Sequence, residues 1–292
     1  MSTGIIRARR KQCQAAAARL SLPAPICDNA ARMNRLTVTI ITLNEERNLP
    51  RALASVAGVA DEVVFVDSGS RDRTLEIARQ HGARVFERAW TDYSDQKNFA
   101  AAQAAHDWIL SLDADEELSP ALREEIGRWK QTTAQADACE MPRMAKYLGR
   151  WIEHSGWYPD RKRRLYRRDR ARFVGALHES LVVDGRVDRL RGDLLHYTFD
   201  SLEEHEAQVE RYTQLAARLL YTNGRRAWLL PWLFAPAWTF LRTYILQQGF
   251  RDGPHGWLIA QMAARYVWLK YTKLRVLIDE AARESEARGR AA

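Results

Sequence analysis

Cysteine is scarce in this sequence, and long apolar runs are absent. The three cysteines, Cys13, Cys27 and Cys139, follow neither a metal-binding spacing nor an even-numbered disulfide pattern, so a reducing compartment is expected. No apolar segment followed by a small-residue cleavage site is visible near the N-terminus, which argues against a secretory signal. The most apolar stretch, 227–241, contains two prolines and is shorter than the roughly 20 residues of a membrane-spanning helix.

Acidic residues are fewer than basic ones, 37 against 45, so the chain of 292 residues carries a net charge of +8. Hydrophobic residues make up 46%, enough for one or two globular domains, which excludes a fibrous or disordered protein. The positive charge favours an anionic partner. Nucleic acid, a phosphorylated glycolipid and an anionic membrane surface all satisfy that requirement.

The composition divides the chain into three parts. Residues 1–33 are rich in Ala and Arg, and we expect a disordered extension there, or translation from Met33, rather than a transit peptide. Residues 34–200 are expected to form the main domain. Residues 201–292 are expected to form a helical region, because Ser201 and Glu204 make a capping box and the helix it opens should stop near Asn223.

Strand-like and helix-like segments alternate after Met33. This pattern predicts an α/β fold, with a parallel sheet covered by helices on both faces. The predicted strands are Leu36–Thr42, Glu62–Val66, Arg84–Phe86 and Trp108–Leu112, and the helices between them include Thr74–His81 and Gln96–Ala105. Beyond Lys130 the alternation fades, and Cys139–Tyr147 and Leu165–Arg168 are expected to be strands of a mixed extension to the sheet.

Polar residues follow three of these strands. Because ligands of such sheets bind beyond the carboxyl ends of the strands, Asn44, Asp67 and Asp113 are expected at one functional edge. Asn44 is also expected to cap the first helix, with Glu45 and Glu46 in its first turn, where the helix dipole favours acids.

Two acidic motifs at this edge are each ambiguous alone. Asp113 and Asp115 flank one residue after a buried strand, so both can turn towards a hard cation such as Mg²⁺ or Mn²⁺; an acidic cap for the helix near Pro120 is the simpler alternative. Asp67 opens a turn with Gly69 and could accept hydrogen bonds from a base or ribose, but an ordinary strand-to-helix turn explains it equally.

The order of four motifs is more specific than any one of them. Thr42–Glu46 comes after the first strand and Asp67–Ser70 after the second, Gln96–Asn98 lies on a helix, and Leu112–Glu116 comes after the fourth strand. In this order the sequence resembles family 2 glycosyltransferases with the GT-A fold, a nucleotide-sugar-binding α/β domain. Within that family it is most similar to the lipopolysaccharide core β-1,4-glucosyltransferase group, from Leu36 to the C-terminal helices.

The resemblance implies a nucleotide-sugar site. Thr42, Asn44 and Glu45 would line the nucleotide pocket, Asp67 would contact the uracil or ribose, and Lys97 would lie near the diphosphate. Asp113 would approach the ribose and the metal, and Asp115 would be the main ligand of Mg²⁺ or Mn²⁺. A cation suits this chemistry, because the leaving nucleoside diphosphate gains negative charge.

An inverting transfer also needs a general base, and the segment 175–179 is the best candidate. Glu179 resembles the late acidic residue that acts as base in the family, but His178 stands where a second acid is common, so either residue remains a candidate. The alternative for Glu179 is an ion pair with a nearby arginine at a strand edge. His196 is a weaker candidate for a metal or diphosphate contact.

Two segments suggest contacts with the acceptor or with the membrane. The basic run 161–168 is either a solvated strand face or a cradle for acceptor phosphates or lipid headgroups. The segment 227–241 carries Trp228, Trp232 and Trp238 with arginines on both sides, so it predicts either an in-plane membrane helix or a buried one.

The resemblance implies an enzyme that moves a hexose, glucose from UDP-glucose, onto an anionic lipopolysaccharide core acceptor. It would act in the cytoplasm, peripherally on the inner face of the bacterial inner membrane. The alternatives are a polyprenyl-phosphate or other cell-surface polysaccharide glycosyltransferase, a non-catalytic nucleotide-sugar-binding protein, and a basic nucleic-acid-binding protein. The last is disfavoured because no nucleic-acid-binding module surrounds the basic run.

Overall fold

Ten strands form one mixed sheet in the computed structural model, which describes residues 34–175, 179–225 and 229–291. Four strands form the parallel half of this sheet: β1 (Leu36–Thr42), β2 (Glu62–Asp67), β3 (Arg84–Glu87) and β4 (Trp108–Asp113). β1 pairs with β2 and β4, and β2 pairs with β3. These four strands are confirmed as predicted, within one residue at their ends.

The register of the parallel strands brings their carboxyl ends together. Thr42 is opposite Asp67 on β2, and Ile41 is opposite Asp113 on β4. β1 is buried along most of its length, as its β-branched sequence predicts for a strand covered on both faces. The loops that follow β1, β2 and β4 therefore meet at one edge of the sheet.

The second half of the sheet is the mixed extension that the sequence predicts. Its strands are β5 (Glu116–Leu118), β6 (Ala138–Tyr147), β7 (Arg150–Ile152), β8 (Asp160–Arg167), β11 (Val187–Arg189) and β12 (Leu194–Phe199). β4 pairs antiparallel with β8, which pairs antiparallel with β6; β6 runs parallel to β12, and β12 pairs antiparallel with β5. β7 and β11 join β6, while β9 (Ala171–Val174) and β10 (Ser180–Val183) form a separate two-stranded sheet.

Four helices cover the parallel strands: α1 (Leu49–Val56), α2 (Thr74–Gln80), α3 (Tyr93–Ala102) and α4 (Pro120–Lys130). The prediction that Asn44 caps α1 is wrong, as is the placing of Glu45 and Glu46 in its first turn. The helix begins at Leu49, where Pro50 favours the first turn. Asn44 instead adopts a left-handed conformation with φ 56°, and its side-chain oxygen accepts a hydrogen bond from Arg71 N at 2.9 Å.

Three helices make up the C-terminal part: α5 (Leu202–Thr222), α6 (Leu229–Leu241) and α7 (Pro254–Ala291). Ser201 caps α5 by accepting a hydrogen bond from Glu204 N, as predicted, and α5 and α6 both pack on α7. A π-helical turn (Arg242–Leu246) and a 3₁₀ turn (Gly249–Asp252) connect α6 to α7. In the described part of the chain, every helix is too short or too polar to cross a membrane.

An aromatic cluster joins α5 to the sheet. The imidazole of His205 stacks on Phe199 with 4.4 Å between ring centroids, and its Nδ1 lies 3.0 Å from the Tyr147 hydroxyl. Burial lowers the pKa of His205 to about 4, so the ring is neutral at pH 7. The cluster therefore packs as an uncharged wall.

A buried carboxylate fixes the loop between β7 and β8 to the start of α7. Asp252 Oδ2 accepts a hydrogen bond from Ser155 Oγ at 2.7 Å, and Oδ1 lies 3.2 Å from His154 Nδ1 and 3.3 Å from the backbone N of Glu153. Gly156 is equally confined, because a Cβ there would lie 2.5 Å from the Gln247 side chain. The loop is thus held rigidly against the C-terminal helices.

The same region offers a test of packing. A Cβ at Gly256, in the first turn of α7, would lie 1.8 Å from the carbonyl oxygen of Gly249. We expect Gly256→Ala to lower the free energy of unfolding by about 3 kcal/mol or more, because backbone would have to move. Gly127→Ala, in α4, is the matched control: nothing lies within 4 Å of its Cβ, so it should stabilise by about 0.5–1 kcal/mol. Equal melting temperatures for the two variants would contradict this packing.

Candidate functional site

The loops after β1 and β2 are tied together by a turn around Asp67. This carboxylate is fully buried and accepts hydrogen bonds from Thr42 Oγ1 at 3.2 Å and from the backbone N of Gly69 and of Ser70, each at 2.8 Å. The Ser70 hydroxyl accepts a bond from Asn44 N at 2.8 Å. Thr42, Asn44 and Asp67 thus lie together as predicted, while their contacts with a nucleotide stay a prediction.

Glu45 lies just beyond this turn, among other carboxylates. Its backbone N donates to Thr74 Oγ1 at 2.8 Å, and its carboxylate accepts from Asn48 Nδ2 at 2.9 Å. Burial raises the pKa of Glu45, and the negative charges of Asp115, Asp72 and Asp113 add to the effect. Negative charge is therefore concentrated around Glu45, and a cation there would relieve it.

Lys97, on α3, connects two of the predicted site residues. Its ammonium nitrogen is buried and lies 2.9 Å from Asp113 Oδ1 and 3.0 Å from Glu179 Oε1. The carboxylates are about a quarter exposed, with side-chain accessibilities of 27% and 24%. The end of β4 and the loop before β10 therefore meet at one ammonium group.

Asp113 has a second cationic partner that the sequence did not single out. Arg164, on β8, bonds to Asp113 Oδ2 and lies 2.6 Å from Glu116 Oε1, and Glu116 Oε2 accepts from Asp113 N at 3.1 Å. Burial disfavours the ionised carboxyl, but the Arg164 and Lys97 charges outweigh it and hold the pKa of Asp113 well below its usual range. Asp113 is thus ionised and held in place by two cations.

One signal could have identified Arg164. It is the last residue of the basic run before the apolar pair Leu165 and Tyr166, where β8 enters the core. A charge at such a position must be paired, because an isolated buried charge is prohibitively costly. Its partners, Asp113 and Glu116, are about 50 positions earlier in the chain.

Asp115 is more open than Asp113 and lies beside His196. The distance between His196 Nε2 and Asp115 Oδ2 is 3.2 Å, and the side chains are 16% and 35% exposed. Thr198 Oγ1 lies 3.1 Å from His196 Nδ1 and orients the ring. The pairing of β12 with β5 places the imidazole here, so a residue that the sequence offered only as a weak candidate joins the site.

The carboxylate of Asp115 and the imidazole of His196 suit a divalent cation that is also coordinated by a substrate. Within the residues the structure describes, no three His, Cys, Asp or Glu side chains cluster closely enough to enclose a metal. A carboxylate and an imidazole leave most positions of an octahedral ion open. Mg²⁺ and Mn²⁺ commonly fill such positions with substrate phosphates and water, so the residues present fit the predicted cation.

Of the two candidate bases, Glu179 and His178, the structure describes Glu179. Glu179 is half-buried at the start of β10, and its ion-pair partner among the described residues is Lys97 rather than an arginine. His178 lies outside the described residues. The role of either as a base stays a prediction, but the contact with Lys97 places the Glu179 carboxylate at the same edge as Asp113.

Comparison with known proteins identifies relatives over most of the chain. The family model for glycosyl transferase family 2 matches residues 37–181. The chain is 30% identical over 258 residues to an uncharacterized glycosyltransferase of Rickettsia prowazekii, covering 84% of this chain and 88% of that one. It is 30% identical over 247 residues to the lipopolysaccharide core biosynthesis glycosyltransferase LpsC of Rhizobium meliloti, covering 82% and 91%.

Among solved structures, the chain is similar to the mannosyltransferase PcManGT from Pyrobaculum calidifontis in complex with GDP-Man and Mn²⁺. The TM-score is 0.44 at 15% sequence identity, and the match covers 93% of this chain and 84% of that one.

Proposed function

The chain belongs to glycosyltransferase family 2, and from this membership we propose that it transfers a hexose from a nucleotide-sugar donor to a lipopolysaccharide core acceptor with inversion. One observation carries the proposal. Lys97 joins Asp113 to Glu179 at the carboxyl edge of the parallel strands, beside the open pair of Asp115 and His196. The groups proposed for metal binding, for diphosphate binding and for proton abstraction thus lie together at the edge where such sheets bind ligands.

On the donor side, the nucleotide would lie over the loops after β1 and β2. Thr42, Asn44 and Glu45 would line its pocket, and Asp67 holds the turn against which the uracil or ribose would rest. Lys97 would lie near the diphosphate. The choice of UDP-glucose rests on the resemblance to the lipopolysaccharide core glucosyltransferase group.

Asp115 and His196 would hold the divalent cation, Mg²⁺ or Mn²⁺, with Asp113 nearby. When bound, the cation would neutralise charge that grows on the departing diphosphate. The ion pairs of the site support this. Asp113, Glu116 and Glu179 are each paired with a lysine or an arginine, whereas the partner of Asp115 is the imidazole of His196.

Glu179 would act as the general base. Its carboxylate takes the proton of the acceptor hydroxyl, the hydroxyl oxygen forms a bond to the anomeric carbon, and the bond from that carbon to the diphosphate oxygen breaks. The nucleoside diphosphate leaves with the bonding electrons, and attack from the opposite face inverts the configuration. Lys97 orients the carboxylate from 3.0 Å away.

The assignment of the acceptor is supported by the name of the LpsC relative and by Arg161, Lys162 and Arg163 of β8, which line the cavity beside Asp113 and Glu179. A polyprenyl phosphate is the alternative acceptor. We further propose that residues 34–200 form the catalytic part and 201–292 the helical part.

We also propose that α6 and the turns after it rest on an anionic membrane surface, on the cytoplasmic side. Phe234, Trp238 and Leu246 are each 58–62% exposed there, although apolar side chains of this size favour burial. Arg242, between Trp238 and Leu246, and Arg251, after them, are exposed and would meet lipid phosphates.

Liposome flotation tests this placement. We expect the protein to float with vesicles containing phosphatidylglycerol but not with phosphatidylcholine alone. Phe234→Ser with Trp238→Ser should abolish flotation, while Val182→Ser, at an equally exposed position on β10, should leave it unchanged. Equal flotation of the double variant would contradict the placement.

Donor selectivity tests the proposed reaction. Release of nucleoside diphosphate should be fastest from UDP-glucose when UDP-glucose, UDP-galactose, UDP-N-acetylglucosamine and GDP-mannose are compared with truncated lipopolysaccharide and polyprenyl phosphate as acceptors. Preference for another donor would correct the sugar. Turnover only with polyprenyl phosphate would replace the acceptor class.

A further inference from the structure

A cavity of about 530 Å³ adjoins the pair of Asp115 and His196. It lies between β6, β12, the start of β8 with the loop before it, and helices α5 and α7, and His196 forms part of its wall. We call it the aromatic cavity, because its lining includes Trp157, Phe199, Tyr212 and Tyr266. The proposed function does not assign a role to it.

The walls of the aromatic cavity are pre-formed. Trp157 belongs to the loop that Asp252 fixes, and Phe199 stacks on the neutral ring of His205. Flat aromatic faces held in this way suit the apolar faces of sugar rings, and Gln208 and Thr198 in the same lining can bond to hydroxyl groups. The cavity therefore has the lining of a carbohydrate subsite.

Two arginines line the aromatic cavity, and they differ in their ion pairs. Arg143 is paired with Asp160 at 2.7 Å and approaches Glu116 at 3.5 Å. Arg161 is exposed, and among the residues described no carboxylate lies within 4.0 Å of its guanidinium. Arg161 is thus the cation available for an anionic group.

These arginines also line a second cavity, of about 550 Å³, which contains Asp113 and Glu179. The two cavities are therefore neighbours, and we call the two together the cleft. One of them holds the candidate base, the other holds the aromatic walls, and Arg161 lines both. A ligand with more than one sugar ring could occupy both ends at once.

We propose that this cleft binds the acceptor, with its reacting hydroxyl at Glu179, the neighbouring sugar ring in the aromatic cavity, and a phosphate or carboxylate substituent on Arg161. The inference rests on the proposed function and specifies the acceptor as an anionic oligosaccharide. The guanidinium suits both anions, because its planar fork can donate two parallel hydrogen bonds to either.

The test measures binding as well as turnover, by isothermal titration of deacylated lipopolysaccharide core oligosaccharides into the UDP-saturated protein with Mg²⁺. Arg161→Gln should weaken binding of the anionic oligosaccharide about 10- to 100-fold, the loss expected for a charge-assisted hydrogen bond. Arg167→Gln, on the same strand, removes the same charge and should bind like the wild type. UDP affinity should be unchanged in both variants.

Three oligosaccharides distinguish phosphate from carboxylate as the group that binds Arg161: the intact compound, its dephosphorylated form and its carboxyl-reduced form. If phosphate binds at Arg161, dephosphorylation should weaken wild-type binding and abolish the difference between wild type and Arg161→Gln. If carboxylate binds there, reduction of the carboxyl groups should do so instead. Equal affinities of the wild type and Arg161→Gln for the intact compound would overturn the assignment of Arg161.

A second variant pair tests the aromatic wall. Tyr266→Ala should weaken binding about tenfold, whereas Tyr266→Phe, which keeps the ring, should retain it. Equal binding by these two variants would overturn the aromatic subsite. If the oligosaccharide binds but no sugar is transferred, the proposed function is overturned and the subsite is kept. If the wild type does not bind the oligosaccharide but transfers sugar to another acceptor, the subsite alone is overturned.

Discussion

Replacement of Asp115 by asparagine is expected to lower kcat/KM about 10²- to 10³-fold, the loss typical when one group that stabilises transition-state charge is removed. The neutral amide binds a divalent cation more weakly than the carboxylate does. The cation concentration needed for half-maximal activity should therefore rise as well. Folding should survive, because the Asp115 side chain is about a third exposed and its ion-pair partner is His196.

The matched control for Asp115 is Asp107→Asn, which removes one negative charge just before β4 begins. Asp107 is largely exposed and forms a 3.7 Å ion pair with Arg168, far from the strand ends that form the site. It should show wild-type rates and the same dependence on cation concentration. Wild-type rates for Asp115→Asn at limiting Mg²⁺ or Mn²⁺ would contradict a role of Asp115 as metal ligand.

Replacement of Glu179 by glutamine is expected to lower kcat about 10²- to 10⁴-fold, the usual contribution of a general base. The amide keeps the shape of the side chain but cannot accept the hydroxyl proton. UDP affinity should be nearly unchanged, because Lys97 keeps its 2.9 Å contact with Asp113 when the contact with Glu179 is weakened. The measurement is single-turnover transfer at saturating donor, which separates chemistry from binding.

Glu140→Gln is the control for Glu179. Glu140 lines the same cavity, but its carboxylate is paired with Arg189 at 2.8 Å. We expect this variant to retain the wild-type single-turnover rate. Near-normal kcat in Glu179→Gln would remove Glu179 as the base and direct the assignment to His178.

Local patterns predicted the parallel half of the sheet well. The β-branched run Leu36–Thr42 and the apolar run at Trp108 are both buried strands, and their order along the chain put three polar loops at one edge. Such predictions succeed because strand burial and strand-end convergence depend on neighbouring residues and on sheet geometry. Membership of the predicted family is confirmed by the comparison with known proteins.

The cap assigned to Asn44 shows where local rules fail. Asn is favoured both as a helix cap and in left-handed turns, and the sequence around it does not separate the two. The outcome was decided by the loop after β2, whose Ser70 and Arg71 both bond to Asn44. That loop comes more than 20 residues later in the chain.

Contacts between residues that are far apart in the sequence were also not predicted. Arg164 reaches Asp113 from 51 residues away, and His196 reaches Asp115 from 81. The aromatic cavity draws its walls from three strands, a loop and two helices. No spacing in the sequence reports these contacts, because they follow from how β8, β12 and the C-terminal helices pack against the parallel strands.

The most direct test of the central claim is UDP release from UDP-glucose, measured with and without Mg²⁺ or Mn²⁺ and with and without deep-rough lipopolysaccharide. We predict release that requires both the cation and the acceptor and that is lost in Asp115→Asn and Glu179→Gln. Release that persists in a chelator, or that is unaffected by both substitutions, would contradict a metal-dependent transfer at this site.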